Sequence, residues 1–217
     1  LSNLKGITRG FLKYAARQKW INFDVEKMFN NMDSSAYTFQ KTVKEENQEI
    51  FDEDEYPRVL NYLWDHPDMR NLGLILMFVS GVRVGELAAL KWEDITETHI
   101  KIRRTERRYE GDDGKYVFVI KETPKTQAGI REIALPASAC TIFKRLRMMN
   151  PKGEYIFMEK GERLKTFSFR NRLRDVCKKT CCVSKSPHKI RKTYASILGD
   201  NHIDEKLLIS QMGHTDF

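Results

Sequence analysis

Hydrophobic residues along the chain keep more than one rhythm. From residue 1 to about 32, Leu4, Ile7, Phe11, Leu12, Tyr14 and Ala15 recur at helical spacing ahead of Trp20 and Ile21, which predicts two helices. A second helical stretch opens where Asp52 can cap and Glu55, three residues on, can return the bond, with Phe51 as the hydrophobic staple. Tyr56, Val59, Leu60 and Leu63 mark its buried face. Leu72 to Val79 runs almost without a polar side chain, which predicts a core helix from about Met69 to Ser80, closed by Gly81 taking positive φ. A further helix begins near Arg83 and turns Leu87, Ala88 and Leu90 toward the core. Beyond Asp94 the period shortens to two: Ile100 and Ile102 alternate with charged residues, Asp112-Asp113-Gly114 signals a tight turn, and Tyr116–Ile120 and Ile130–Leu135 complete a small antiparallel sheet. Helical spacing returns from Ala137 to Met149 and from Thr166 to Lys179, separated by a strand-like run from Glu154 to Met158 and a Lys160-Gly161 turn. A last helix starts at Ser186-Pro187, where proline suits the first turn.

The same rhythm divides the chain. Two helices cannot bury both of their faces, so residues 1–46 read as the end of a small helical domain plus a linker that begins at Asp33 and passes through Lys44-Glu45-Glu46. Residues 47–217 form the main domain. The expected fold class is α+β: a mainly helical domain with a small antiparallel sheet on one side. At 217 residues and 41% hydrophobic content the chain can fill a core. No apolar run approaches the roughly 20 residues needed to span a bilayer, and the N-terminus lacks the order of a signal peptide. A cytoplasmic protein with no membrane partner is expected. Cys140, Cys177, Cys181 and Cys182 suggest no disulfide framework in a chain of this length. The alternative, a zinc site, lacks a second ligand arm at the usual spacing.

Charge adds a direction to this picture. The net charge is +8, and between Lys144 and Lys192 there are 16 Lys or Arg against 4 Asp or Glu, a local +12 that leaves −4 for the rest. A solvated helix face is the ordinary reading of a charge run, but this excess spans several predicted elements. It is the electrostatic footprint of a nucleic-acid binder. Tyr155, Phe157, Phe167 and Phe169, which lie within it, are assigned to the core rather than to base stacking.

Candidate chemistry begins with Arg83 and Glu86, charges three residues apart in an apolar setting. They are either an intrahelical ion pair or an arginine held rigid so that its planar donors can grip a phosphate. His188 and Arg191, at the same spacing on one helix face, read alone as surface residues. Arg131 is assigned as a backbone or strand-pairing charge. His66, His99 and His202 are given no role.

The run Gly81-Val82-Arg83-Val84-Gly85-Glu86-Leu87, followed by Leu90, Trp92, Asp94 and Ile95, resembles the first box of the tyrosine recombinases, the phage integrase family, as found in phages and conjugative transposons. The other elements follow in order. Pro124-Lys125-Thr126 with Gly129, Arg131 and Ile133 is similar to the lysine hairpin of that family, and His188-Lys189-Ile190-Arg191 with Thr193, Ala195 and Ser196 to its second box, with Lys192 where histidine is usual. Leu207 to His214 resembles the family's L-G-H ending of a helix, the third box, with Met212 in place of leucine. Phe51-Asp52 through Glu55 is similar to the start of the family's catalytic domain, and residues 1–46 to the last part of its core-binding domain.

The resemblance implies a site-specific recombinase that breaks and rejoins DNA through a 3′-phosphotyrosyl link, acting as a tetramer on double-stranded attachment sites to integrate or excise a mobile element. It assigns Arg83 and Arg191 to the phosphate oxygens, His188 and His214 to hydrogen bonding and proton transfer, Lys125 to the leaving 5′-hydroxyl, and Glu86 to support of the arginines. The nucleophilic tyrosine would lie past Phe217, so the chain is expected to be C-terminally incomplete and inactive by itself. No cofactor and no metal are implied, and the sequence has neither an acidic cluster for paired Mg²⁺ nor a G-x-x-x-x-G-K-[ST] loop for a nucleotide. A noncatalytic DNA-binding regulator with the same fold is the alternative, with a metal-dependent nuclease behind it.

Overall fold

The computed structural model describes residues 2–32, 49–122, 130–201 and 203–213, and it divides into two units, Leu1–Val43 and Lys44–Phe217. In the first, α1 (Ser2–Arg17) meets α2 (Val25–Asn30), whose first turn is capped by Asp24 accepting from the backbone of Glu26 and Lys27. Ala15, Val25 and Phe29 are buried, and Glu26 pairs with Arg9 and Lys13 of α1. Leu4, Ile7, Phe11 and Tyr14 stay exposed. Two helices bury one stripe between them, and the rest of the apolar face is left over, as the sequence pattern implies.

The second unit is built on its most apolar helix. Its first helix, α3 (Glu55–Asp65), has the reciprocal cap read from the sequence: Asp52 Oδ1 accepts from Glu55 N at 2.8 Å and Glu55 Oε2 from Asp52 N at 3.4 Å. Phe51 and Tyr56 both pack edge-on against Phe78. Phe78 belongs to α4 (Met69–Ser80), capped by the Asp68 side chain and closed by Gly81 at φ +64°. Every residue of α4 except Arg70 and Val79 is buried, which marks it as the core helix around which others pack. Those others are α3, α6 (Ala139–Met149), α7 (Thr166–Lys179) and α8 (Pro187–Asp200). At Gly73 the packing is so close that a Cβ would sit 2.6 Å from the Phe169 ring.

After α4 come α5 (Val84–Leu87), a 3-10 turn at Trp92–Asp94, and strands β1 (His99–Ile102), β2 (Thr105–Glu110), β3 (Tyr116–Lys121) and β4 (Arg131–Ala134). The single sheet expected from the alternation is replaced, among the described residues, by separate two-stranded antiparallel ladders: β1 with β4, β2 with β3, and the short β5 (Met158–Glu159) with β6 (Glu162–Arg163). Alternation identifies strands but not partners. Ile100 and Ile133 face each other in the β1–β4 register and are fully buried with Ile102, so this ladder lies on the core. The β2–β3 ladder is largely exposed and stands as a hairpin turned at Gly114, φ +72°. The strand-like run from Glu154 contributes a single bridge, Tyr155 to Lys91, before β5 starts.

The last described helix is α9 (Glu205–Met212), closed by Gly213 in the left-handed region. The fold is thus α+β and mainly helical, with small antiparallel ladders. All four cysteines carry free thiols. Among the described residues no helix is long and apolar enough to cross a membrane.

Candidate active site

Arg83 is the N-cap residue of α5, placed where the chain leaves Gly81, and the shortness of the helix brings Glu86 back to it. Glu86 Oε2 accepts from the Arg83 backbone N–H and Oε1 from Arg83 Nη1, both at 2.9 Å. The carboxylate is also gripped from the other side. Arg131, at the start of β4, donates Nη1 to Oε1 at 3.0 Å and Nη2 to Oε2 at 2.8 Å, in a bidentate pair buried at both ends. Burial alone would push the Glu86 carboxyl up. The guanidiniums of Arg131 and Arg83 outweigh it and hold the group below its ordinary value.

Arg131, read from sequence as a backbone or strand-pairing charge, is instead the buried partner of Glu86. Its strand neighbour on the inward face is Ile133, fully buried, so the alternation that buries Ile133 buries Arg131 as well. That shared face is the signal from which its role could have been read.

Arg191 comes from α8 and is only 2% exposed. It donates Nη1 to the carbonyl of Gly81 and Nη2 to that of Met212. Burial first, and Arg83 second, hold it down to about 9, which leaves it charged at neutral pH. The same end of α9 receives the other two arginines: Arg131 Nε reaches Gln211 O at 2.9 Å and Arg83 Nη2 reaches Gly213 O at 3.3 Å. Three guanidiniums thus hold three consecutive carbonyls, at the helix end where carbonyls have no intrahelical partner and the dipole favours cations. The Gln211 side chain accepts from Ala134 N at 3.0 Å and fixes the helix to β4. Of the three arginines, Arg83 is the one open to solvent, its side chain 39% exposed.

His188, in the first turn of α8, is exposed beside this cluster. Desolvation on its protein-facing side, then the charges of Lys192, Arg191, Lys189 and Arg83, hold its imidazole below the ordinary histidine value. It is therefore neutral at neutral pH and able to donate or accept a hydrogen bond. Lys192, which stands where the resemblance leads one to expect histidine, pairs with Glu49, as does Lys189. Tyr194 is packed against Gly81, where a Cβ would meet its ring at 2.3 Å, and burial raises its phenol.

The structure therefore brings Arg83, Glu86, His188 and Arg191 together from α5 and α8, and adds Arg131 and the end of α9. Lys125 and His214 lie outside the described residues, as does His202. Trp92 and Asp94 are structural. Arg147 stacks on the indole at 3.7 Å, and Asp94 accepts from Lys91 N at 2.9 Å and from the buried Arg104 at 2.6 Å. Of the aromatics in the basic stretch, Phe157 and Phe169 are buried as expected, whereas Phe167 is 47% exposed.

A solvent-facing guanidinium backed by two buried ones, next to a neutral imidazole, is an arrangement suited to a phosphate whose charge rises during reaction. The family model described as "Phage integrase family" matches residues 49–217. The chain belongs to the phage integrase family. It is 29% identical over 194 residues to the prophage ps2 probable integrase of Lactococcus lactis subsp. lactis (strain IL1403), covering 81% of this chain and 50% of that protein. Among solved structures it is similar to the Tn1549 transposon integrase in complex with a circular intermediate DNA, with a TM-score of 0.79, 18% identity, and coverage of 99% of this chain and 71% of that one. It also matches a lambda integrase tetramer bound to a Holliday junction, with a TM-score of 0.66, 18% identity, and coverage of 98% and 57%. At these identities the structural likeness speaks for the fold. The chain spans about half the length of the Lactococcus relative.

Proposed function

We propose that the protein is a site-specific DNA recombinase that integrates or excises a mobile element by breaking and rejoining DNA through a 3′-phosphotyrosyl intermediate. Residues 47–217 act as its catalytic domain, and residues 1–46 as the end of a core-binding domain with its linker. The single observation that carries the reading is the convergence of Arg83, His188 and Arg191 about the buried Glu86–Arg131 pair in a chain of this family.

Rejoining DNA without an external energy source requires that phosphodiester energy be kept in a covalent link. A tyrosyl oxygen attacks phosphorus, the P–O5′ bond breaks, and the 5′-oxygen leaves as a hydroxyl once protonated. A 5′-hydroxyl of another strand then attacks the link and the tyrosine departs. Arg83 supplies the exposed guanidinium for the nonbridging oxygens. Arg191, beneath it, adds its charge to the field on the phosphate in the conformation described here, rather than a surface contact. His188 hydrogen-bonds the same oxygens, with His214 assigned beside it, and Lys125 is assigned as the acid that protonates the leaving oxygen. The partners are duplex attachment sites and three further protomers, the compartment is the cytoplasm, and no small-molecule cofactor takes part.

The test is incubation of the protein, expressed from its complete gene, with a nicked attachment-site duplex in EDTA. A 3′-phosphotyrosyl adduct is expected, abolished by Arg83→Ala. A shifted band with no adduct would identify a DNA-binding regulator instead, and cleavage that appears only when Mg²⁺ is added would identify a nuclease.

A further inference from the structure

Several basic side chains on the α7 side of the site already have partners. Arg172 donates to Asp68, Arg163 to Glu106, and Lys185 is buried against Glu55. Arg170, Arg174 and Lys178 of α7 have none among the described residues, and of these Arg170 and Arg174 share a concavity. They lie one helical turn apart on an exposed face of α7, and among the described residues their side chains make no hydrogen bond or ion pair. Both line a concavity of about 480 Å³ that is also lined by the approach to α8, including the exposed residues Ser184 and Ser186, and by His188.

The segment between α7 and α8 is tied to the start of α3. Glu55 accepts from the Val183 backbone N–H at 3.3 Å and from Lys185 Nζ at 2.5 Å, which fixes the segment between α7 and α8. Two guanidiniums without an acid partner and two serines lining one concavity make a site for an anion with several acceptor oxygens. Its position says which anion. His188 and Val84, the residue next to Arg83, both line this concavity, and His188 also lies within electrostatic reach of Arg83 and Arg191. A strand with a phosphate at Arg83 carries its next phosphate only a nucleotide away.

We infer that the Arg170–Arg174 groove is a second phosphate subsite, which holds a backbone phosphate of the same DNA strand adjacent to the one placed at Arg83. The inference rests on the recombinase reading above, because it takes duplex DNA as the ligand. By holding the neighbouring phosphate, the groove sets the position of the reacting one along the strand.

The test measures binding to a short fluorescent duplex by anisotropy across a series of KCl concentrations, with the wild type, R170A/R174A and R172A. Each lost phosphate contact lowers the slope of log K against log[salt] by about 0.9. The double variant is expected to lose about one in slope and to bind several-fold more weakly at low salt, with an unchanged melting temperature, while R172A keeps the wild-type slope. A wild-type slope in the double variant overturns the subsite, as does an equal fall in R172A, which would reduce the effect to bulk charge. Wild-type protein that binds no duplex at any salt would overturn the recombinase reading itself, and the subsite with it.

Discussion

Arg131 holds both carboxylate oxygens of Glu86, at 3.0 and 2.8 Å, across 45 positions of sequence and out of contact with solvent. The pair does more than join β4 to α5. With Arg131 on one side of the carboxylate, the bond from Glu86 to Arg83 has one orientation available, and the exposed guanidinium is aimed by a buried one. Removing one partner strands the other charge. Arg131→Ala is expected to cost about 3–5 kcal/mol in urea unfolding, and E86Q/R131M to recover only part of it, since the double change removes both charges of the pair but leaves Arg83 and Arg191 without the carboxylate. Equal stability of wild type and Arg131→Ala would contradict this account.

Gly81 is held by two different demands. Its φ of +64° places it where a side chain is strained, and a Cβ would lie 2.3 Å from Cδ1 of Tyr194. Gly81→Ala is expected to lower stability by at least about 2 kcal/mol, combining the left-handed backbone cost with overpacking. Adding Tyr194→Leu relieves the overlap but not the backbone, so a thermal melt of the double variant should recover only part of the loss. Because the Gly81 carbonyl accepts from Arg191, DNA binding should weaken alongside.

His188 gives a prediction with a sign. Its imidazole is depressed in the folded protein, so the unfolded chain takes up the proton first as pH falls below about 6.5. The stability that its neutral form contributes is present above that pH and is lost as pH falls through the folded value. Stability of the wild type relative to H188Q should therefore decline on acidification from neutral. An NMR titration of the His188 ring should find a midpoint below the ordinary value. Lys192→Gln, which removes the largest charge contribution, should move that midpoint upward. An unchanged midpoint would show that Lys192 contributes nothing and that burial and the remaining charges of Arg191, Lys189 and Arg83 set it.

Where local chemistry decides structure, the sequence was readable. The apolar run of α4 carries its own boundaries, Asp68 at one end and Gly81 at the other, and the helix ends where those residues say it must. The Asp52–Glu55 cap and Pro187 are of the same kind, since each acts within one turn. What depends on distant partners was not readable. Nothing in β3 says that it pairs with β2 and not with β4, because both choices satisfy its alternation. The anchoring of Gln211, Met212 and Gly213 is further still from view: their carbonyls are backbone groups, silent in sequence, and their donors lie at positions 131, 191 and 83. Arg131 stands between these cases. Its face was legible from Ile133, but the carboxylate it meets was not.

The three carbonyls at the end of α9 also set an order of events during synthesis. A ribosome delivers the chain from the N-terminus, so Arg83, Glu86, Arg131 and Arg191 have all been made before the turn that holds three of them has left the exit tunnel. Until then, Arg131 can meet Glu86, Arg83 can meet Glu86 and Arg191 can meet the Gly81 carbonyl, but each of the three arginines lacks its second acceptor. The cluster is therefore finished by the helix that emerges after all of its side chains, and a nascent chain halted at Asn201 would carry every one of those charges with no competent site.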